Sequence, residues 1–275
     1  MPAVYAHFTF GQRVLRALPD GQITDVIRTN LPLFEIGLQG PDILFFYRPF
    51  THHPVNRIGH KLHDQSGLSV FDRQVCRQAD IRLLAYILGF ICHYALDSEC
   101  HTLVEYYMER TGKGHSDLET DLDRYLMILD GLDPFHHVSA GYIRDTVPNA
   151  EAIASFFDIK PGTVKTALTS MKLAGYILVP SSSLKHKLLT FAGHKMGEGS
   201  VVSQLTMDRI PDPIYNESNR VLMSQLEQSV PVAIALMENF MNWYYGKDTL
   251  SQRFQPTFSF DEEELLRLKE RDTRV

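Results

Sequence analysis

Residues 81–96 read IRLLAYILGFICHYAL and run directly into Asp97. Apart from Arg82 and His93 the stretch is apolar on every face of a helical wheel, the pattern of a helix surrounded by other helices. It falls short of the roughly 20 residues that a membrane span needs, and it carries two polar groups. A buried central helix over 80–97 is therefore expected, with the remaining elements packed round it.

The flanking sequence agrees in kind. Residues 116–131 place Leu118, Leu122, Tyr125, Leu126 and Leu129 on one side and stop at Gly131. Shorter helices are expected over 149–157 and 160–174, the second starting at Pro161 and ending at Gly175. Residues 218–245 are helical in pattern with a break or kink at Pro231, and a charged helix with a solvated face closes the chain over 261–269. The segments 179–187 and 199–218 read as connections. Strand signals are scarce. The fold class is all-α: a multi-helix bundle around one buried helix. Residues 1–140 hold ten of the 12 histidines among interspersed acids and form the expected metal-binding core, its metal site between helices, and 141–275 form a helical extension packed on it as one continuous domain.

Composition narrows the function. The chain has 275 residues, 44% hydrophobic and 22% charged, which is ordinary for a globular protein. Its net charge is −6 and no basic block is present, so electrostatic binding to nucleic acid or anionic lipid is not expected as its main purpose. The segment 158–180 has the rhythm of a helix-turn-helix with a strand-like tail after it, yet only Lys160, Lys165 and Lys172 supply positive charge there. Three cysteines in so long a chain argue against a disulfide scaffold. The amino terminus shows no basic segment followed by an apolar one, and the expected compartment is the cytoplasm.

Histidine is the unusual residue. There are 12, and ten of them lie in the first 137 positions among interspersed acids. A His and an acid four residues apart on a helix share one face and can chelate one divalent ion. Chance alone gives about 1.4 such pairs, and the chain has five: His60/Asp64, His93/Asp97, His101/Glu105, His115/Glu119 and His194/Glu198. His93 and Asp97 close the very apolar helix, where a buried imidazole and carboxylate must be paired or metal-bound.

The order His7, Asp42, His63, His93-x-x-x-Asp97, His101, His115-x-x-x-Glu119 resembles the zinc-dependent phospholipase C family of bacteria, whose all-α fold is shared with trinuclear-zinc nucleases. The resemblance covers roughly residues 1–130. It implies one zinc ion held by His63, His93 and Asp97, and a second by His101, His115 and Glu119. A third would be bridged through Asp97 and completed by His7 and the chain's own amino terminus. It also implies that Asp42 orients the attacking water or acts as general base. Such a cluster activates water and binds phosphate oxygens. The four-residue spacing from Asp97 to His101 is shorter than in the best-known members. Their mature chains begin with tryptophan, whereas this one begins Met1-Pro2 and has its only tryptophan at Trp243.

Several assignments have plainer alternatives. His60 competes with His63 as ligand, one turn away. Asp42 follows Gly40-Pro41 and reads equally as a helix cap. His52 and His53 beside Pro54 read as loop residues; His136 and His137, in a loop after Pro134, read as surface residues or as substrate contacts at the site mouth. Asp123 and Arg124 read either as partners of a ligating histidine or as a surface pair. Cys92 and Cys100 read as small apolar fillers. Phe45, Phe46, Tyr47 and Phe50 read as core or as an apolar wall beside the metals. The function expected is a zinc-dependent hydrolase with two or three ions, cleaving a phosphoester such as a phospholipid head group. The alternative is a non-catalytic protein with a structural or sensory metal, whose zinc would be closed by four protein ligands.

Overall fold

Asp80 starts the central helix by accepting the backbone N–H groups of Arg82 and Leu83 at 3.0 and 2.8 Å. This satisfies donors that the first turn leaves orphaned. The helix, α7 (Ile81–Thr111), is 31 residues long and is closed by Gly112 in the left-handed conformation. The structure is a computed structural model and describes residues 4–49, 51, 53–196, 202 and 206–272. From Leu83 to Asp97 every residue of α7 is buried. The expected end near Asp97 is thus fourteen residues too early. The all-round apolar pattern stops there, but a one-sided pattern with buried Thr102, Val104 and Tyr107 continues to Gly112. By length and composition α7 is long and apolar enough to cross a membrane, and 83% of its most apolar window is buried inside the protein.

Preceding α7 are α1 (Val4–Ala17), α2 (Gln22–Thr29), α3 (Leu31–Gly37), a 3-10 segment (Gly40–Phe46), α4 (Pro54–His63), α5 (Gly67–Phe71) and α6 (Gln74–Arg77). After it come α8 (His115–Leu129), α9 (Val147–Phe157), α10 (Pro161–Leu178), α11 (Ser183–Met196), α12 (Asn216–Tyr244) and α13 (Glu262–Asp272). Among the described residues there is no strand, only an isolated bridge between Ser66 and Thr257. α3 and α12 pack most extensively against α7, and α1, α2, the 3-10 segment, α8, α9 and α13 also pack on it. One hydrophobic core runs from Val4 to Phe258 and joins both halves of the chain.

Other boundaries differ for identifiable reasons. α10 passes through Gly175, which is not a stop: a Cβ there would lie 3.1 Å from the Ala140 side chain, so the glycine serves close packing. The helix ends two residues before Pro180. α12 continues through Pro231 without ending, with Val230 and Ala233 buried on either side. Residues 183–196, in part expected as a connection, form α11, and Ser182 Oγ accepts the Lys185 N–H at its start. No strand follows α10. α13 is solvated on most positions, but it packs against α7 through buried Leu265.

Two glycines let α3 and α7 touch backbone to backbone. A Cβ on Gly89 would fall 2.1 Å from the Phe34 carbonyl oxygen, and one on Gly37 would fall 2.2 Å from that of Tyr86. Backbone cannot yield as a side-chain end can. Gly89→Ala is therefore expected to destabilise the protein by about 3 kcal/mol, at the upper end for overpacking, measured by urea denaturation. A loss below about 0.5 kcal/mol, the range of neutral surface changes, would show that the two helices separate freely.

Candidate metal centre

His93, Asp97 and His101 lie at i, i+4 and i+8 on α7 and so share one face. His93 is fully buried and its Nδ1 sits 3.3 Å from the Leu38 carbonyl oxygen. A carbonyl only accepts, so Nδ1 carries the hydrogen and Nε2 is the free end. Nε2 lies 3.1 Å from Asp97 Oδ2. Gly40 keeps this ring in place. It has φ of +47°, and a Cβ there would fall 2.4 Å from the imidazole.

The same construction recurs. His63 closes α4 and turns its Nδ1 to the Gly59 carbonyl at 2.9 Å. Its Nε2 faces Asp42 Oδ1 at 3.1 Å and Asp97 Oδ2 at 3.8 Å. His101 turns Nδ1 to the Phe258 carbonyl, and its Nε2 faces Asp97 Oδ1 at 3.8 Å and Glu119 Oε1 at 3.7 Å. His7, on α1, brings Nε2 to 3.2 Å from Asp97 Oδ1. His115, half-buried at the start of α8, brings Nε2 to 3.1 Å from Glu119 Oε1. Anchored Nδ1 and inward Nε2 are how proteins orient metal-ligating histidines.

These contacts are not simple hydrogen bonds. His93 Nε2 and Asp42 Oδ1 are buried and each lacks a hydrogen-bond partner despite a neighbour at 3.1 Å. Both atoms belong to one group, with His63, whose ligand atoms lie within 4.8 Å of one another. Two ligands of one tetrahedral zinc ion, each about 2.0–2.1 Å from it, stand about 3.3 Å apart, close to the separations observed. Three groups have ligand atoms within 4.8 Å of one another: His7, His93 and Asp97; Asp42, His63 and His93; His101, His115 and Glu119. Nitrogen and carboxylate donors of this kind fit zinc. Asp97 is the hub, with Oδ1 toward His7 and His101 and Oδ2 toward His93 and His63.

Charge follows from this crowding. Burial alone would raise the Asp97 carboxyl, but His93, His101 and His7 hold it well below the usual range. Glu119 is lowered likewise against its burial, by His115 and His101. For Asp42, too, burial is outweighed, here by His63 and then His93. Burial opposes a charge on His101, yet Asp97 and Glu119 push it up to about 9. His93 goes the other way, lowered because its burial outweighs Asp97.

All eight expected site residues converge, with one difference in detail. Asp42 was expected to stand apart as base or cap. Its side chain caps no helix end, and its oxygen sits among the candidate ligand atoms. The amino-terminal ligand lies outside the described residues, as do His52 and Phe50. His63 rather than His60 enters the groups; His60 stays at the cleft edge with its ring 4.5 Å from that of Phe45. His53 caps α4 by accepting the Val55 N–H, and His136 pairs with Asp133 at the surface. Burial raises the thiols of Cys92 and Cys100, keeping them protonated fillers. Phe46 is core, whereas Phe45 lines the cleft.

Two supports carry no local signal in the sequence. Asp123 is buried and accepts the N–H groups of Tyr5 and Ala6 at 2.9 and 2.8 Å, fixing the first turn of α1 and hence His7. Burial, against these two donors, holds its carboxyl at about 7. It hydrogen-bonds no histidine directly and is not at the surface; it supports His7 through the backbone of α1. Arg124 instead pairs with buried Asp121, which also accepts from Asn219 of α12. The second support is the strap 253–260. Phe258 donates its N–H to the His63 carbonyl at 3.3 Å while its own carbonyl holds His101. Ser259 and Phe260 from this strap join Phe45, His60 and Glu105 in lining an open cleft of about 770 Å³ over the metal groups.

A separate cavity of about 540 Å³, lined by Asp123, His137, Met171 and Leu178, holds none of the three groups. Neither a comparison with curated proteins nor one with solved structures returns a match. The family model described as zinc dependent phospholipase C matches residues 6–167. That span takes in all eight clustered side chains and more than half of the chain. With its helical architecture and three histidine–carboxylate groups on one cleft, the chain belongs to the zinc-dependent phospholipase C family.

Proposed function

We propose that this protein is a phosphoester hydrolase of phospholipase C type, working with two or three zinc ions held around Asp97. The observation that carries the reading is the set of inward-facing Nε2 atoms, backed in three cases by a carbonyl on Nδ1, beneath an open cleft. Each group offers three protein atoms and faces a cleft, which favours a catalytic over a closed structural site. Bound zinc would supply Lewis acidity, polarising a phosphoryl oxygen and acidifying a water.

The chain's own residues have separable tasks. Asp97 offers one oxygen to each side of the cluster and sets its spacing. Glu119 and His115 complete the outer group nearest solvent. Asp42 would serve as a ligand and accept a proton from the attacking water, a reading supported by its ionised carboxylate beside His63. Four carboxylates line the cleft, so two divalent ions would balance them and three would leave the pocket net positive, which suits an anionic phosphodiester. Phe45 and Phe260 give the cleft apolar walls for the organic part of the ester.

The reading is tested by zinc content and turnover of a panel of soluble phosphodiesters and short-chain phospholipids on one preparation. At least two zinc equivalents per chain and hydrolysis are expected; less than one equivalent, with no change in thermal stability on adding zinc, overturns it. Asp97→Asn is expected to lose more zinc than Glu119→Gln, because only Asp97 faces both sides of the cluster. Equal, small losses would make both acids ordinary ion-pair partners.

For Asp42→Asn a turnover loss of about 10²–10⁴-fold is expected, with weakened zinc in the His63 group. Full activity would reduce Asp42 to a structural role. The pH dependence has a definite sign. His101, raised to about 9, is protonated at pH 7, and zinc requires the neutral ring. Zinc binding is thus expected to release protons and to tighten as pH rises from 7 toward 9. Titration calorimetry in buffers of different ionisation enthalpy measures this; no proton release would mean that His101 is not a ligand.

A further inference from the structure

α11 leaves an apolar stripe uncovered. Leu184, Leu188 and Phe191 lie at i, i+4 and i+7, on one face, and are 70%, 61% and 63% exposed. Just before it, the end of α10 exposes Leu173, Tyr176 and Ile177 at i, i+3 and i+4, each more than half. Six large apolar side chains within 19 positions exceed the scattered exposure usual on a protein surface.

The charge of the same region is one-sided. Residues 161–196 contain five lysines and no aspartate or glutamate, in a chain whose net charge is −6. The whole-chain balance therefore conceals a local basic segment. Lys185 and Lys187 flank the stripe on its two sides and form no ion pair among the described residues. Lys195 follows one turn after Phe191, its Nζ 5.8 Å from the ring centre. Lys172 is already held by Asp145 at 3.2 Å. His186, on the far side of α11 from the stripe, faces Asp208 at 3.5 Å.

We infer that α11, with the end of α10, docks this protein on an anionic lipid surface, the leucines and Phe191 entering the headgroup–acyl boundary and Lys185, Lys187 and Lys195 facing anionic headgroups. Leucine and phenylalanine on one face with lysine beside them is the composition of a helix that lies in a membrane interface. Charge complementarity selects this occupant over a second copy of the chain. A symmetric pair meeting on this face would bring lysines against lysines with no acid to answer them. The inference is independent of the metal reading, since none of these residues touches the cleft.

Co-sedimentation of the zinc-loaded full chain tests it, using vesicles of phosphatidylcholine alone and vesicles with about a third phosphatidylserine, at low and high salt. The protein is expected to partition to the phosphatidylserine vesicles, and salt is expected to weaken this. Replacing both flanking lysines, Lys185→Gln with Lys187→Gln, is expected to lower partition by about 30-fold. The triple change Leu184→Ser, Leu188→Ser, Phe191→Ser is expected to lower it by about tenfold or more. Leu184, Lys187, Leu188 and Phe191 are exposed, Lys185 is half-buried without an ion-pair partner among the described residues, and none lines the cleft, so thermal stability and hydrolysis of a soluble phosphodiester should be unchanged. Wild-type protein that stays in the supernatant, or variants that partition like it, would overturn the inference. So would a wild-type dimer that the triple change dissociates, because a second copy would then cover the stripe. Vesicle binding as expected from a protein that hydrolyses no phosphoester would leave this inference standing and remove the hydrolase reading alone.

Discussion

A carboxylate buried in the middle of a hydrophobic helix is costly to maintain, and the arrangement round Asp97 is organised by that cost. Four imidazoles from three helices turn their Nε2 atoms toward its two oxygens. Three of those histidines are anchored from behind by a backbone carbonyl. His93 leans on the Leu38 carbonyl, His63 on that of Gly59 and His101 on that of Phe258. The segments carrying those carbonyls are thereby fixed relative to α7. A change in any of these contacts is felt at Asp97.

The core and the site are consequently one construction. α3 approaches α7 backbone to backbone through Gly37 and Gly89, which brings Leu38 and Gly40 against the His93 ring. α8 carries Glu119 toward the cleft and, one turn on, Asp123, whose carboxylate grips the first turn of α1. The strap 253–260 crosses α7, where the Tyr94 hydroxyl lies within hydrogen-bond distance of the Arg253 and Pro256 carbonyls. It ends on His63 and His101. The second half of the chain thus reaches the chemistry through this strap, while α12 packs along α7 and brings Leu222 and Leu226 behind the cluster. α11 stands apart from this plan: its apolar side faces outward, where a buried helix would face it in.

The amino-acid sequence by itself determined the all-α class and the central helix, because an apolar run with no alternation admits little else once strand signals are scarce. It also determined the donors. His93/Asp97 and His115/Glu119 are adjacent through helical geometry alone, which needs no knowledge of the rest of the fold. Tertiary structure decided what depends on separate helices meeting: that His63 and not His60 turns inward, that Asp42 stands among the ligand atoms, and that Asp123 serves the backbone of α1. It decided the roles of Gly175 and Pro231 as well, since close packing outweighs the local preference of either residue. The Phe258 carbonyl could not be read in advance, because every residue has a carbonyl and only the path of the chain brings this one to His101. Local periodicity fixes which side chains share a face; the contacts between faces belong to the packed molecule.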